Sequence, residues 1–356
     1  MKKQWILLVA AIFIASTIFM SIGCAADAPA PVEEPAAPAD EPAEPAEEPA
    51  EPAEDIRIAS YWPEAHPYYE SVQQGIQRFT EDYGVPVSIQ IGTGWDMQTQ
   101  IEQVEALAAQ GYQGIKVFPV DAAGSNALYE DIVAQDIFVA SYGAQTLVPT
   151  PASFTLATDV KAAAMAATER VIEEMGGSGN ILNILEFVED PNTILRDEGI
   201  NEVVDTYPDV QIIQTVAGMA SIEEATEKIS NALAGLGDEV DGMVTTGYQP
   251  TVAAAQILTE MENDRIAYVG IDDDPIVLRA IEEGYVTGTF AQNPYFQGYV
   301  TPVLLMYLIQ GYESKGFEFI DTFGIVVTQD NLDTFADELW QASYDAAENA
   351  LANWFK

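Results

Sequence analysis

The residues best suited to contact a small ligand follow the first predicted β-strand. This loop carries aromatic and polar side chains, namely Ser60, Trp62, His66, Tyr68 and Tyr69. Aromatic rings with polar tips fit a ligand that has one carbon-bearing face and polar edges. Taken singly, Tyr68 or Tyr69 could equally be a core residue, and His66 could be an ordinary surface histidine. As a group, these side chains predict a binding site.

Other predicted strands also end in polar or aromatic side chains. The candidates at these ends, or in the helix that follows one of them, are Phe118, Tyr142, Gln145, Arg196, Tyr248, Asp272 and Gln292. Arg196 stands out because the chain has only 13 Lys and Arg residues against 57 Asp and Glu residues. A guanidinium binds hydroxyl or carboxylate oxygens with fixed geometry. The alternative for Arg196 is a surface ion pair with Asp197 or Glu198.

Metal and catalytic chemistry are poorly represented in the sequence. Asp272 begins a run of three aspartates, but the run lacks the alternating acids, the glycine and the distal glutamate of a calcium loop. One Cys and one His cannot form a Cys/His zinc cluster or a disulfide framework. No nucleophile motif accompanies His66, and the glycine-rich stretch 176–179 precedes a strand, where it would end a helix rather than bind phosphate. We expect a binding protein without cofactor or metal, not an enzyme.

The charge balance excludes two classes of partner. The formal net charge of the chain is −44 at pH 7. Proteins that bind nucleic acid concentrate Lys and Arg on one face to neutralise phosphates. Anionic lipid surfaces likewise attract basic segments. We therefore expect the folded body to bind neither nucleic acid nor an anionic lipid surface.

The first 24 residues have the layout of an export signal. Two lysines precede an apolar run over residues 5–20, and small residues then lead to Cys24, the only cysteine. A cysteine at this place resembles the lipobox of bacterial lipoproteins, in which the thiol carries a diacylglycerol, although Ser21 stands where Leu is usual. The alternative is a chance cysteine in an uncleaved anchor. In both cases we expect the rest of the chain to be exported, since no second apolar run approaches the ~20 residues of a membrane-spanning helix.

Residues 25–55 form a low-complexity segment of Ala, Pro and Glu with 11 acidic residues and no basic one. Repeated prolines favour an extended backbone, and the like charges repel one another. Nothing in this segment can bury a core. We expect a semi-rigid spacer between the anchor and the folded body rather than a binding tail.

From Ile56 onward, short apolar strands alternate with amphipathic helices. A first series ends with the predicted strand 137–141, and a second begins with the predicted helix 161–175. Such alternation is typical of parallel sheets covered by helices on both faces. The sequence therefore predicts an α/β fold with two doubly wound lobes. Ligands of open α/β sheets bind beyond the carboxyl ends of the strands, which is where the candidate residues lie.

Taken together, these motifs resemble a known family. The lipobox, the aromatic-Pro loop, Val-Gly-Ile-Asp272-Asp and Thr-Phe-Ala-Gln292-Asn-Pro are similar to the sugar-binding proteins of ABC importers, most of all the ribose-binding type. The resemblance covers residues 56–330. It implies two Rossmann-like lobes joined by crossovers near Thr158, Gln292 and Thr322. The implied lobes are 56–158 with 293–322, and 159–292 with 323–356.

The resemblance also implies roles for single residues. His66 matches a polar position, Tyr68 and Tyr69 match stacking aromatics, and Arg196 matches an arginine that binds sugar hydroxyls. Asp272 and Gln292 match the carboxylate and amide at the hinge. The implied function is a monomeric extracytoplasmic receptor that delivers a sugar or polyol to an ABC permease.

Two positions depart from the ribose binders. Gly143-Ala144 stands where they have Asp-Arg, and Gly247-Tyr248 stands where they have Asn-Asp. We therefore expect a ligand other than ribose, with Tyr142, Gln145 and Tyr248 filling the gap. Two alternatives stay open on the same fold. One is a nucleoside or furanosyl signal molecule as the ligand, and the other is a role as the ligand-sensing partner of a membrane signalling receptor.

Overall fold

The computed structural model describes residues 56–188 and 190–356. The predicted signal segment 1–24 with Cys24, and the predicted spacer 25–55, lie outside the described residues. No helix in the described ranges is long and apolar enough to cross a membrane.

The first lobe is built from alternating strands and helices. In chain order these are β1 (Ile58–Trp62), α1 (Pro67–Tyr83), β2 (Val87–Ile91), α2 (Met97–Ala109), β3 (Gly114–Val117), α3 (Ala122–Val133), β4 (Phe138–Tyr142) and β5 (Phe154–Ala157). The five strands and β11 (Phe319–Asp321), which comes from near the C-terminus, form a parallel sheet in the order β11-β5-β4-β3-β1-β2.

The second lobe repeats this plan. Its elements are α4 (Val160–Glu174), β6 (Gly179–Ile184), α5 (Pro191–Val204), β7 (Val210–Val216), α6 (Ile222–Leu236), β8 (Gly242–Thr245), α7 (Tyr248–Glu260), β9 (Ala267–Ile271), α8 (Pro275–Glu282) and β10 (Gly288–Gln292). With β12 (Gly324–Val327) they form a sheet in the order β12-β10-β9-β8-β6-β7, in which only β12 is antiparallel. The predicted fold class, two doubly wound α/β lobes, is confirmed.

The chain passes between the lobes at three places in this part of the fold. It leaves the first sheet after β5, returns after β10 into α9 (Pro294–Ile309), and crosses again between β11 and β12. Two of these passages are hydrogen-bonded to each other, since the hydroxyls of Thr158 and Thr322 lie 3.1 Å apart. These are the same places at which the resemblance implies crossovers.

The C-terminal segment differs from the lobe assignment expected for residues 323–356. Strand β12 and the start of α10 (Phe335–Glu348) do pack on the second lobe, where Phe335 and Leu339 contact Ala291 and Val327. The end of α10 and α11 (Ala350–Trp354) pack instead with α9 in the core of the first lobe. The reason is that α9 offers an apolar surface to α10 and α11 on this side of the first lobe. The hydrophobic pattern of a helix shows that one of its faces is buried but not which element covers that face.

Helices α1 and α9 pack with their backbones in close contact. A side chain at Gly298 would collide with the carbonyl oxygen of Val72, and one at Gly75 would collide with that of Tyr295. Only glycine permits this approach. Helix α1 begins directly after His66 and α9 carries Gln297, so the packing of the two helices helps to position both side chains.

Candidate functional site

A cavity of about 370 Å³ lies between the carboxyl ends of the two sheets. This volume falls within the range of small-molecule sites. Eight of the twelve ligand-contacting residues expected from the sequence line it, namely His66, Tyr68, Tyr69, Phe118, Arg196, Tyr248, Asp272 and Gln292. The structure thus brings together residues from both lobes that are up to 226 positions apart in the chain (66 to 292).

The other four candidates, Ser60, Trp62, Tyr142 and Gln145, do not line this cavity. Trp62 is buried behind the wall, where its ring stacks on Tyr69 with centroids 5.4 Å apart. Ser60 and Tyr142 are fully buried because they belong to the central strands β1 and β4. Ser60, Trp62 and Tyr142 thus lie behind the cavity wall, whereas the sequence predicted that all four side chains contact the ligand.

The first lobe contributes an aromatic wall centred on Phe118. Its ring meets Tyr69, Trp95 and Tyr142 edge to face, with centroids 5.5, 5.6 and 5.7 Å apart. Such perpendicular pairs are favourable arrangements of aromatic rings. Trp95 also donates its Nε1–H to Oε1 of Glu64 at 3.0 Å. The result is a preorganised apolar surface with polar edges.

His66 caps the N-terminus of α1 and reaches toward the other lobe. Its Nδ1 accepts the backbone N–H of Tyr68 at 3.2 Å, so Nε2 carries the proton of the neutral ring. Burial lowers the pKa of His66, against the opposing charges of Asp272 and Glu64. The ring packs edge to face against Tyr248 of the second lobe, with centroids 5.0 Å apart. His66 is therefore a neutral donor that borders the cleft.

The second lobe contributes a chain of polar groups. Arg196 donates from Nη1 to the carbonyl oxygen of Thr246 at 2.8 Å and from Nη2 to Oε1 of Gln292 at 3.4 Å. Gln292 in turn donates from Nε2 to Oδ1 of Asp272 at 2.6 Å. Arg196 is only 6% exposed, and its Nε has no hydrogen-bond partner among the described residues.

The surface ion pair considered for Arg196 is not formed. Asp197 accepts hydrogen bonds from Asn183 and Asn201, and Glu198 lies 3.9 Å from Lys161. Arg196 makes no salt bridge with any described residue. Arg196 lines the cavity, and its guanidinium has more N–H donors than the two that are paired with Thr246 and Gln292.

Asp272 holds an uncommon backbone conformation at the end of β9. Its φ of +75° lies in the left-handed region, which aspartate tolerates better than most residues. The backbone is held there by hydrogen bonds to Phe290 and Thr289, with lengths of 2.9 and 2.6 Å. This conformation places the carboxylate beside Gln292 and the cavity.

Both departures from the ribose-binding pattern are complemented by a neighbouring side chain. Gly143 has φ +76°, and a side chain there would collide with the ring of Phe118. A side chain at Gly247 would collide with the carboxyl group of Glu186. The expectation that Tyr142 and Gln145 fill the first gap is thus corrected, because Phe118 occupies that space. Tyr248 does line the cavity, and its hydroxyl donates to Oδ2 of Asp274 at 2.7 Å.

Sequence reasoning missed several lining residues, among them Glu64, Trp95, Glu186, Asp190 and Asn192. Trp95 and Glu186 follow β2 and β6, so the rule of polar or aromatic residues after strands could have found both. Asn192 donates to the carbonyl oxygen of Gly143 at 3.4 Å and thereby connects the two lobes. The described residues contain no cluster of three or more Asp, Glu, His or Cys able to hold a metal ion.

Comparisons with known proteins agree with this architecture. The chain is 29% identical over 198 residues to a xylitol-binding protein of Mycolicibacterium smegmatis, covering 56% of each chain. It is 23% identical over 273 residues to the xylose/arabinose-binding protein XylF of Sulfolobus acidocaldarius, covering 72% of this chain and 65% of XylF. The chain thus spans less than two thirds of the length of either relative.

A solved structure and a family model complete the comparison. An ABC transporter solute binding protein of Burkholderia graminis in complex with D-arabinose superposes with a TM-score of 0.74 at 21% identity, covering 79% of this chain and 98% of that one. The model of the periplasmic binding protein domain matches residues 60–313, more than two thirds of the chain. The chain belongs to the periplasmic binding protein domain family.

Proposed function

We propose that this protein captures a sugar or a related polyol in the cleft between its lobes and delivers it to an ABC permease. One observation carries the proposal. The cavity combines an aromatic wall from one lobe with the connected side chains Arg196, Gln292 and Asp272 from the other. The known ligands of the relatives, xylitol and the pentoses, support the same ligand class.

The two walls match the two kinds of surface on a polyol. The rings of Tyr69, Phe118 and Trp95 present apolar area to C–H groups. Arg196 and His66 offer donors to hydroxyl oxygens, and Asp272 accepts from hydroxyl hydrogens. Hydrogen bonds to charged groups contribute ~1.5–3 kcal/mol each, which favours a ligand with several hydroxyls in fixed positions.

Closure of the cleft accompanies binding in this proposal. Asn192 and Gly143 are hydrogen-bonded across the cleft, and the His66 and Tyr248 rings are in contact across it. A ligand that touches both lobes adds to these contacts only when the lobes are together. Binding therefore shifts the population toward the closed form, which the permease would recognise.

Isothermal titration with xylitol, D-xylose, D-arabinose, D-ribose and D-galactose tests the proposal, together with small-angle scattering for compaction. We expect at least one ligand with micromolar affinity or better, and a smaller radius of gyration in its presence. The scattering mass would also test the expected monomer. If no member of the panel bound and the radius did not change, the proposed function would be wrong.

The cellular location is a separate part of the proposal. The chain is exported and anchored through a lipid on Cys24, with residues 25–55 as the spacer. The support is the apolar run before Cys24 and the family to which the chain belongs. Labelled palmitate should be incorporated into the wild type and not into Cys24→Ala. An uncleaved anchor would instead leave the variant membrane-bound and the wild type unlabelled.

A further inference from the structure

We propose that Glu186 is a specificity-determining residue that donates a hydrogen bond to a ligand hydroxyl and excludes ligands bearing a carboxylate or phosphate. This deepens the proposed function and rests on it. The motivating feature is the pairing of Glu186 with Gly247, because the carboxyl group of Glu186 occupies the space that a side chain at position 247 would need, at the wall of the cavity.

The backbone of Glu186 is held firmly at the cleft. Its N–H donates to Oγ1 of Thr246 at 3.0 Å, and its carbonyl oxygen accepts the N–H groups of Gly218 and Met219 at 2.8 and 3.2 Å. These bonds tie the residue to the segments that follow β7 and β8. The backbone position of Glu186 is therefore fixed from both neighbouring strands.

The carboxyl group lies over Gly247 and lines the cavity. Gly247 has an extended backbone that any residue can adopt. Glycine is needed there because a side chain would collide with the carboxyl group of Glu186. Oε1 of Glu186 accepts the N–H of Gln249 at 3.3 Å, whereas Oε2 has no donor among the described residues. Oε2 is thus the atom available to a ligand.

The charged groups around Glu186 come from several elements. Arg196 and Asp190 lie on α5 and at its start, Asp272 follows β9, Tyr248 begins α7, and His66 and Glu64 face it from the first lobe. Arg196 is engaged with Thr246 and Gln292 and forms no ion pair with Glu186. Among the described lining residues, four carboxyl groups thus face one guanidinium.

This environment favours the uncharged acid. Burial raises the pKa of Glu186 to about 8, and Asp272 and Asp190 act in the same direction against the Gln249 hydrogen bond and Arg196. Below that pH the group is protonated and offers an O–H donor to a hydroxyl oxygen. A ligand carboxylate or phosphate would instead meet the remaining carboxylates of the cavity. The site therefore selects neutral polyols over their oxidised or phosphorylated counterparts.

The pH dependence follows from the same group. The protonated form predominates below about pH 8, so affinity for a neutral ligand stays constant there and falls as pH rises above it. If only the protonated form binds, the affinity at pH 9 is about tenfold lower than at pH 7. Replacement by glutamine keeps a donor and an acceptor but removes the titration.

The test is isothermal titration of wild type, Glu186→Gln, Glu186→Ala and the exposed control Glu173→Gln between pH 6.5 and 9. The neutral probes are xylitol and D-arabinose. Their carboxylate counterparts are the aldonates xylonate and arabinonate. We expect wild type and Glu173→Gln to weaken above pH 8, Glu186→Gln to keep a flat profile, and Glu186→Ala to bind about threefold to tenfold more weakly at pH 7. We expect the aldonates to bind at least tenfold more weakly than the neutral ligands.

The outcomes separate this inference from the proposed function. If a neutral ligand binds but Glu186→Gln keeps the wild-type pH profile, or if the aldonate binds equally well, the inference alone is wrong. If wild type binds no member of the sugar panel, the proposed function fails and the inference fails with it. Thermal melts of each variant check that the fold is retained.

Discussion

The hydroxyl of Tyr68 donates a 2.6 Å hydrogen bond to Oε1 of Gln297, which lies 229 positions further along the chain. Behind this pair, Nζ of Lys116 donates to the carbonyl oxygen of Gln297 at 2.8 Å and lies 3.9 Å from the centre of the Tyr142 ring. Lys116 is fully buried. The aromatic wall of the cleft thus rests on a buried amine with no carboxylate salt-bridged to it among the described residues.

Lys116→Met should raise stability near pH 8. Burial lowers the pKa of Lys116 well below its ordinary value. Between the folded pKa and the unfolded value of ~10.4, the unfolded chain binds the extra proton, so wild-type stability rises with pH across this window. The variant lacks this dependence. We expect its melting temperature to exceed that of wild type at pH 8 and the difference to shrink toward pH 10.

The carbonyl oxygen of Gln297 does not become unpaired in this variant, since Oγ1 of Thr301 also donates to it at 2.7 Å. Scanning calorimetry of both proteins at several pH values measures the difference. A variant that is less stable than wild type by the same amount at every pH would show that Lys116 acts through its hydrogen bond alone.

Arg196→Ala should weaken binding of the ligand found in the sugar panel by at least tenfold. The guanidinium is buried, holds Gln292, and keeps an unpartnered Nε. Loss of a charged hydrogen bond costs ~1.5–3 kcal/mol, or about tenfold to more than a hundredfold in affinity. Asp272→Ala should have a comparable effect, because the carboxylate ends the same chain of polar groups.

Arg170→Ala is the matched control, since Arg170 lies on the surface of α4 and pairs with Glu174. Titration calorimetry on all three variants gives the comparison. Unchanged affinity in both Arg196→Ala and Asp272→Ala would remove these residues from the site.

Much of the fold is predictable from the alternation of short strands, rich in apolar residues, with amphipathic helices. The sequence predicts strand 87–91 with the bounds of β2, and strand 242–246 to within one residue of β8. The sequence does not predict the short strands β5 and β11. They have four and three residues, and they are extended because they pair with each other at the edge of a sheet. Such pairing joins distant segments and leaves no local periodicity.

The sequence predicts that the site residues lie at the ends of strands, but it does not predict which of their side chains face the cavity. Proximity to a strand end identifies His66 and Arg196, which line the cavity. It does not reveal that Tyr142 points into the core while Phe118 covers Gly143. Which side chain near a strand end faces the ligand depends on how the neighbouring strands pack. The sequence of a single strand does not encode that packing.

Gly143→Ala should destabilise the protein by more than backbone strain alone. A non-glycine residue at this φ costs ~1–3 kcal/mol, and the new methyl group also collides with the Phe118 ring. Gly176→Ala is the control, because Gly176 has a similar φ of +73° with no atom within 4 Å of the added Cβ. We expect denaturant unfolding to show a larger loss at position 143 than at position 176.

A double-mutant cycle with Phe118→Ala isolates the collision. Removal of the ring makes room for the methyl group, so the losses in Gly143→Ala and Phe118→Ala should sum to more than the loss in the double variant, by ~0.5–3 kcal/mol. Additive losses would mean that the ring and the added methyl group do not interact.

Trp95→Phe should reduce ligand affinity and remove most of the fluorescence change on binding. Trp95 is 45% exposed, lines the cavity, and contacts Phe118 by its ring and Glu64 by its Nε1–H. The phenyl ring keeps part of the apolar contact but loses the hydrogen bond that orients the side chain, so we expect about a threefold to tenfold loss of affinity. Trp340 is 44% exposed on α10 and does not line the cavity. Trp340→Phe should therefore keep both the affinity and the fluorescence change, and a fluorescence change retained in Trp95→Phe but lost in Trp340→Phe would place the responding tryptophan outside the cleft.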